Sequence, residues 1–419
     1  MRWILLFLVM LLGGGEGAQA QSPRPKNLIL MIADGCGPAS ITMARDYARA
    51  VLGRDELALD AIQTGAVRTG SASSRVTDSA AGATAYACGV KTYNGAIAVD
   101  TAGRPLATLL EAAKARGMAT GLVATSRITH ATPAAFAAHV PQRAMESEIA
   151  AQMLAQRVDV LLGGGWSYFL PTAEGGRRQD GRNLLREAEA MGYQVVRTAA
   201  DFRRGVRRPV LGLFGPDHLP YEIDRDPEEV PSLAEMTRAA LELLADDPDG
   251  FFLMVEGSRI DHAGHANDAA AHVREVLAYD EAVAVVLDFA RRDGQTLVVS
   301  VADHETGGLS LGRPRRLRLA PGRAGPRAGF LRTAYPGTAP FGATRLAPAG
   351  LAWPRQPACR RAGARSAGHG RARYLGRGGY RADRSPGRGG LDLEWPHRCG
   401  RQSVRLRTRR RTAGGQLRE

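Results

Sequence analysis

Three apolar runs each close on an acid: Asp34 after "LILMIA", Glu256 after "FFLMV" and Asp303 after "LVVSVA". One such acid is commonly a loop or helix-cap residue. Three, each at the carboxyl end of an apolar strand, would converge on one edge of a sheet, where bare carboxylates repel and shift their protonation. Bound cations relieve that repulsion, so a metal site is the economical reading. The neighbours agree: "EGSRIDHAGH" offers Glu256, Asp261 and His265 with His262 between them, and "ADHE" offers Asp303 and His304. Imidazole with carboxylate suits Zn2+, and carboxylate with hydroxyl suits Mg2+.

A candidate nucleophile stands in "VTDSAAGATAYACGV". Asp78-Ser79 precedes small residues that start a helix. Ser79 is thereby placed at an N-terminus, where backbone N–H groups and the helix dipole favour a phosphate. A serine hydroxyl attacks poorly until a base or a metal lowers its pKa, and taken alone the pair reads as an N-cap. "RITHATPAAFAAHVPQR" adds Thr132, whose hydroxyl suits Mg2+, and Arg143, whose planar fork clamps two phosphate oxygens. His139 in the same segment reads as structural.

Such residues need a scaffold, and the chain supplies a patterned one. Apolar, β-rich runs at 27–34, 121–126, 158–165, 209–214, 250–257 and 296–303 alternate with helical patterns. Three of those helical patterns are "LATLLEAAKARG", "RNLLREAEAMG" and "SLAEMTRAALELLAD", the last opening on a Ser232/Glu235 capping box. Near-continuous apolar strands separated by helices predict an α/β fold with a doubly wound, mostly parallel central sheet flanked by helices. Ligands of such sheets gather outside the carboxyl ends of the strands, where the three acids fall.

The chain has 419 residues, is 44% hydrophobic and carries a formal charge of +14. That average misleads. Residues 313–419 hold 26 Arg, no Lys and four acids, whereas 1–312 hold 30 basic and 38 acidic groups, a net of −8. The body thus lacks the basic footprint of a nucleic-acid binder. "MRWILLFLVMLLGGGEGAQAQS" reads as a secretory signal over 1–20, ending in Ala18-Gln19-Ala20. Its apolar run is too short to span a bilayer comfortably, so a secreted or periplasmic protein without stable membrane insertion is expected. Cys36 and Cys88 read as small buried residues rather than a disulfide.

Taken together, these stretches resemble the alkaline phosphatase family from about residue 26 to about 312. V-T-D-S-A-A-G-A-T (76–84) fits the family's nucleophile signature. "LILMIADGCG", "THATPAAFAAHV", "VEGSRIDHAGHAND" and "VADHETGG" fit its metal motifs in order and spacing, and "DVLLGGGWSYFLP" and "GLFGPDHLPYEIDR" look familial. The resemblance implies hydrolysis of small phosphate monoesters through a phosphoserine on Ser79, at a site with two Zn2+ and one Mg2+. It implies Asp261 and His265 on the first zinc, and Asp34, Asp303 and His304 with Ser79 on the second. Magnesium would take Asp34, Thr132 and Glu256, and Arg143 would hold the phosphoryl oxygens. Some members have Asp and Lys where this chain has His130 and His262. The family is often dimeric, so a homodimer is the assembly the resemblance allows.

The end of the chain departs from the family, which supplies a third ligand to the first zinc from a late H-T-G motif absent from this chain. From about 313 onward the chain reads as out of frame, an Arg/Gly/Pro-rich tail expected to be irregular or disordered. It follows a catalytic domain (21–312) truncated at its C-terminal end. When the first base of each codon is dropped, "WPHRC" can hide G-H-T-G-[VA], "RLRTRRR" (405–411) can become A-[FY]-G-P-G-A-E, and "LRLAP" (317–321) can hide Y-x-W-[HP]-P. The competing explanation is a genuine basic tail that binds nucleic acid or a membrane surface. Two other functions stay open: a phosphodiesterase or sulfatase-like hydrolase of the same superfamily, and an inactive metal- or phosphate-binding protein.

Overall fold

The computed structural model describes residues 24–311, 390–397 and 400–407. The expected signal over 1–20 and most of the tail lie outside the described residues. Within the tail, β8 (Gly390–His397) and β9 (Gly400–Arg407) pair antiparallel as a two-stranded sheet.

The body is built on seven parallel strands: β1 (Asn27–Ala33), β2 (Ala119–Arg127), β3 (Val160–Gly164), β4 (Gln194–Val196), β5 (Val210–Leu213), β6 (Phe251–Gly257) and β7 (Thr296–Ala302). Their order across the sheet is β4-β5-β3-β2-β6-β1-β7. All six expected strands are present. β4 was not expected, because "QVV" is only three residues long and two of them are half-buried.

The helices of the body are α1 (Pro38–Tyr47), α2 (Ser79–Cys88), α3 (Leu109–Lys114), α4 (Ala131–Ala137), α5 (Glu146–Ala155), α6 (Leu184–Ala190), α7 (Ala199–Arg203), α8 (Leu233–Leu244), α9 (Arg259–Ala266) and α10 (Ala269–Asp293). Alternate strand residues feed two cores, as a doubly wound sheet requires. On one face Ile29, Met31, Val123 and Val255 pack with Met43 of α1, Met236 and Leu241 of α8, and Val276 and Val283 of α10. On the other, Leu30, Ile32, Leu122 and Met254 pack with Ala80 and Ala83 of α2, Leu110 of α3, Phe136 of α4 and Ile149 of α5. Each fully buried aliphatic or aromatic side chain is worth about 1.5–3 kcal/mol, so the site is held between two rigid cores.

Local signals fix the elements. Ser232 Oγ accepts from the Glu235 N–H at 3.1 Å and Glu235 Oε2 accepts from the Ser232 N–H at 2.9 Å, closing the expected capping box of α8. Asp78 caps α2, its Oδ1 accepting from the Ala81 N–H at 3.0 Å. Cys36 and Cys88 are unpaired thiols, the first buried and the second half-buried.

The register sets the site. β1 lies between β6 and β7, with Ile32 opposite Glu256 and Ala33 opposite both Gly257 and Ala302. Asp34 and Asp303 therefore stand level just past the carboxyl end of the sheet, and Glu256 lies about two residues back on β6.

Candidate active site

Gly35 lets the chain turn away from β1 beside its acid. Its φ is +70°, and a Cβ there would lie 2.7 Å from the Asp261 Cα. Its N–H donates to Asp303 Oδ1 at 3.0 Å. A side chain at this position would be strained and would also push α9 away.

Asp34 is the hub. Its Oδ1 accepts from Ser79 Oγ at 3.2 Å and its Oδ2 from Thr132 Oγ1 at 3.5 Å. Ser79, the first residue of α2, also lies 3.2 Å from His304 Nε2. His304 Nε2 is 3.5 Å from Asp34 Oδ1 and 3.4 Å from Asp303 Oδ2. Two groups of ligand-type atoms form around the hub, each within 4.8 Å: Asp34 with Asp303 and His304, and Asp34 with His130 and Glu256.

Asp261 and His265 are four residues apart on α9, with His265 Nε2 3.4 Å from Asp261 Oδ1. His265 is 70% exposed. Thr306, which sequence reasoning missed, ties this pair to the hub: its hydroxyl donates to Asp261 Oδ1 at 2.6 Å and lies 3.1 Å from His304 Nδ1. Arg143 meets Asp78, the residue before the nucleophile. Its guanidinium donates to Asp78 Oδ2 at 3.1 Å and to His130 Nε2 at 2.9 Å. His139 is structural, its ring nitrogens meeting the Ala98 carbonyl at 2.9 Å and Glu111 Oε1 at 2.8 Å.

Burial with like charge makes the carboxylates reluctant to ionise. Desolvation pushes Asp34 well above the usual carboxylate range, helped by the charges of Asp303, Asp261 and Glu256. Desolvation likewise raises Glu256 to about 7 and raises Asp303. Glu256 Oε1 and Asp303 Oδ2 are buried without a hydrogen-bond partner. Buried carboxylates with orphaned oxygens beside an imidazole fit divalent cations, which satisfy the oxygens and reverse the pKa cost.

A pH prediction follows for the metal-free chain. A carboxyl whose folded pKa is raised keeps its proton in the folded state after the unfolded chain has lost it, so stability falls with rising pH in that window. For Glu256 the window runs from the ordinary glutamate value up to about 7. Without metal, the melting temperature should drop by several degrees between about pH 5 and pH 8. Zn2+ plus Mg2+ should remove most of that drop in a calorimetric scan.

Sequence reasoning also missed a basic cluster beside the hub. Arg127, at the end of β2, makes two 2.8 Å hydrogen bonds to Glu146 and one of 2.5 Å to Asp217. Its guanidinium also lies 2.7 Å from His218 Nε2. Arg259 follows β6 and donates to His262 Nδ1 at 3.0 Å. His218 lies in "GPDHLP", just past the carboxyl end of β5.

Comparison with known proteins shows the family. The family model described as alkaline phosphatase matches residues 25–340. The repressible alkaline phosphatase of Saccharomyces cerevisiae is 48% identical over 343 residues, covering 74% of this chain and 60% of the yeast protein. The crystal structure of Thermus thermophilus alkaline phosphatase superposes with a TM-score of 0.64 at 44% identity, covering 68% of this chain and 60% of that one. A histidine-to-aspartate mutant of TAB5 alkaline phosphatase, solved with Mg bound, superposes with a TM-score of 0.60 at 36% identity, covering 68% and 79%. The chain spans about 60% of the length of the first curated relatives it matches.

Proposed function

Because the chain belongs to the alkaline phosphatase family, we propose that it hydrolyses small phosphate monoesters with Ser79 as nucleophile. One observation carries this reading: Ser79 Oγ, at the N-terminus of α2, lies 3.2 Å from both Asp34 Oδ1 and His304 Nε2. A serine so placed faces the anion-favouring end of a helix beside a group of metal-ligand atoms.

Asp261 and His265 would hold a first zinc, Asp34, Asp303 and His304 with Ser79 a second, and Asp34, Thr132 and Glu256 a magnesium. When bound, these ions supply positive charge that lowers the serine's pKa, screens the phosphoryl oxygens and stabilises the leaving oxygen. Asp78 keeps the pocket in shape by capping α2 through Oδ1 and holding the Gly95 N–H and Arg143 through Oδ2, at 3.0 and 3.1 Å. Arg143 then presents its fork to the phosphoryl group. Ser79 Oγ bonds to phosphorus as the ester P–O bond breaks and the leaving oxygen takes a proton. Water then attacks phosphoserine, releasing phosphate and restoring the hydroxyl.

The same reading makes the native protein secreted or periplasmic, on the strength of residues 1–20, and allows a homodimer. Among the described residues no helix is long and apolar enough to cross a membrane. It also takes residues from about 313 onward as translated out of frame after a slip near codons 310–316, which accounts for the charge reversal there and for the absent H-T-G motif. Resequencing codons 300–419 tests this: a restored frame reading H-T-G is expected, and an unchanged frame would sink it.

With Zn2+ and Mg2+ present, kcat/KM for p-nitrophenyl phosphate should exceed that for bis(p-nitrophenyl) phosphate by about a hundredfold or more, because Arg143 and the metals favour a dianionic phosphoryl group. A preference for the diester or for a sulfate ester would overturn the monoesterase reading.

A further inference from the structure

Three histidines meet beside the carboxylate hub. Ring nitrogens of His130, His218 and His262 lie within 4.8 Å of one another. The ring centroids are 5.2 Å (His130–His218), 5.4 Å (His130–His262) and 4.3 Å (His218–His262) apart. Spacing alone suggests a trihistidine metal centre. The hydrogen bonds argue against it.

A guanidinium only donates, so a ring nitrogen that it touches must accept. Arg143 occupies His130 Nε2 at 2.9 Å, and Arg259 occupies His262 Nδ1 at 3.0 Å. His218 meets the Arg127 backbone N–H at Nδ1 (3.2 Å) and the Arg127 guanidinium at Nε2 (2.7 Å). A neutral imidazole has one lone pair and one N–H. In His130 and His262 the lone pair is taken and the other nitrogen bears hydrogen, whereas both nitrogens of His218 face N–H groups of Arg127. No lone pair is left free for a metal, and His130 Nδ1 and His262 Nε2 remain as donors. His130 is only 8% exposed, and its Nδ1 is buried with no partner. Arg259 Nε is likewise buried without one. Arg259 stacks on Tyr221, 3.9 Å from the ring centroid, and forms no ion pair among the described residues. Arg127 and Arg143, by contrast, each have a carboxylate. Buried donors left unpaired are costly, and an oxyanion would satisfy them together.

We propose that His130 Nδ1, His262 Nε2 and Arg259 form a second anion subsite, continuous through Arg143 with the phosphoryl pocket at Ser79. It takes the second phosphate of a substrate or inhibitor that carries two linked phosphates. The inference rests on the phosphatase reading for what the adjoining pocket holds, but its test needs no turnover. Burial also lowers the charge affinity of Arg259 and of both rings, as expected for cationic and donor groups lacking their anion.

The test is calorimetric binding of phosphate and of pyrophosphate to the full chain freed of metal, so that pyrophosphate has no ion to chelate. Pyrophosphate should bind at least about tenfold tighter than phosphate, since bridging both pockets adds charge-assisted hydrogen bonds. Arg259→Gln and His262→Phe should each bring that ratio to within about twofold of unity. Arg274→Gln removes an arginine similarly stacked on a tyrosine, Tyr47, outside the cluster, and should keep the full ratio. A wild-type ratio near one, or a ratio preserved in both cluster variants, would overturn the subsite. Phosphatase failure reads differently, as absent turnover of p-nitrophenyl phosphate by the metal-loaded chain.

Discussion

Ser79→Ala should lower kcat for p-nitrophenyl phosphate by about a thousandfold or more, because no other hydroxyl in the site can take its place at phosphorus. Thr132 is the nearest candidate by chemistry, yet its hydroxyl is turned to Asp34 Oδ2 on the far side of the hub. The change should leave the fold intact: Ser79 is buried, and among the described residues its hydroxyl forms hydrogen bonds only with Asp34 and His304. Removing the hydroxyl costs Asp34 and His304 one hydrogen-bond partner each and leaves Asp34, Asp303 and His304 in place. Zinc content, measured by emission spectroscopy on dialysed protein, should therefore stay within about twofold of the unmutated chain, since three of the four proposed donors persist. Lost turnover with zinc retained separates a nucleophile from a metal scaffold. Turnover within tenfold of the unmutated chain would remove Ser79 from the chemistry.

Asp34→Asn should be more damaging in a different way. Asp34 is the only residue shared by both groups of ligand-type atoms at the hub. Its two oxygens hold Ser79 and Thr132 on opposite sides. The amide keeps the shape, but it removes a negative charge from each of two proposed metal positions and turns one acceptor into a donor facing a hydroxyl. Metal affinity at both positions should fall by about 10- to 100-fold, and turnover with it by at least a comparable factor. The metal-free variant should be no less stable than the unmutated chain near pH 8, and should lose less stability as pH rises. One of the repelling acids that resists ionisation is gone. Paired zinc titrations and melting scans check both halves. Unimpaired metal binding in Asp34→Asn would show that Asp34 is not the bridge.

Much of this site could be read from residues before any coordinates. Asp34, Glu256 and Asp303 were legible because strand-end position is a one-dimensional property in a parallel sheet: an apolar run announces the strand, and its last residue announces the edge. Ser79 was legible because Asp78 and the small residues after it mark a helix start. Their convergence needed only that β6, β1 and β7 be neighbours, which the register supplies. β4 was not legible, since three residues with two half-buried carry no period. Thr306 hid because a threonine after "ADHE" has many uses, and only its 2.6 Å bond to Asp261 gives it one.

The basic cluster was hidden for another reason. Arg127, His218 and Arg259 lie on three separate segments, and nothing along the chain links them. Arg259 even sits between the proposed ligands Glu256 and Asp261, where the surrounding motif draws attention away from it. The donor-acceptor logic that sets the histidines apart from a metal site exists only in three dimensions, because it depends on which ring nitrogen each guanidinium touches.

The central claim is that Ser79 becomes phosphorylated during turnover. The direct measurement is to load the full chain with Zn2+ and Mg2+, incubate it with inorganic phosphate at mildly acidic pH, quench in acid and analyse the peptide carrying Ser79 by mass spectrometry. The account predicts one added phosphoryl group on Ser79, absent from Ser79→Ala and from metal-free protein. Turnover of a monoester with no phosphoryl group ever found on that serine would contradict it.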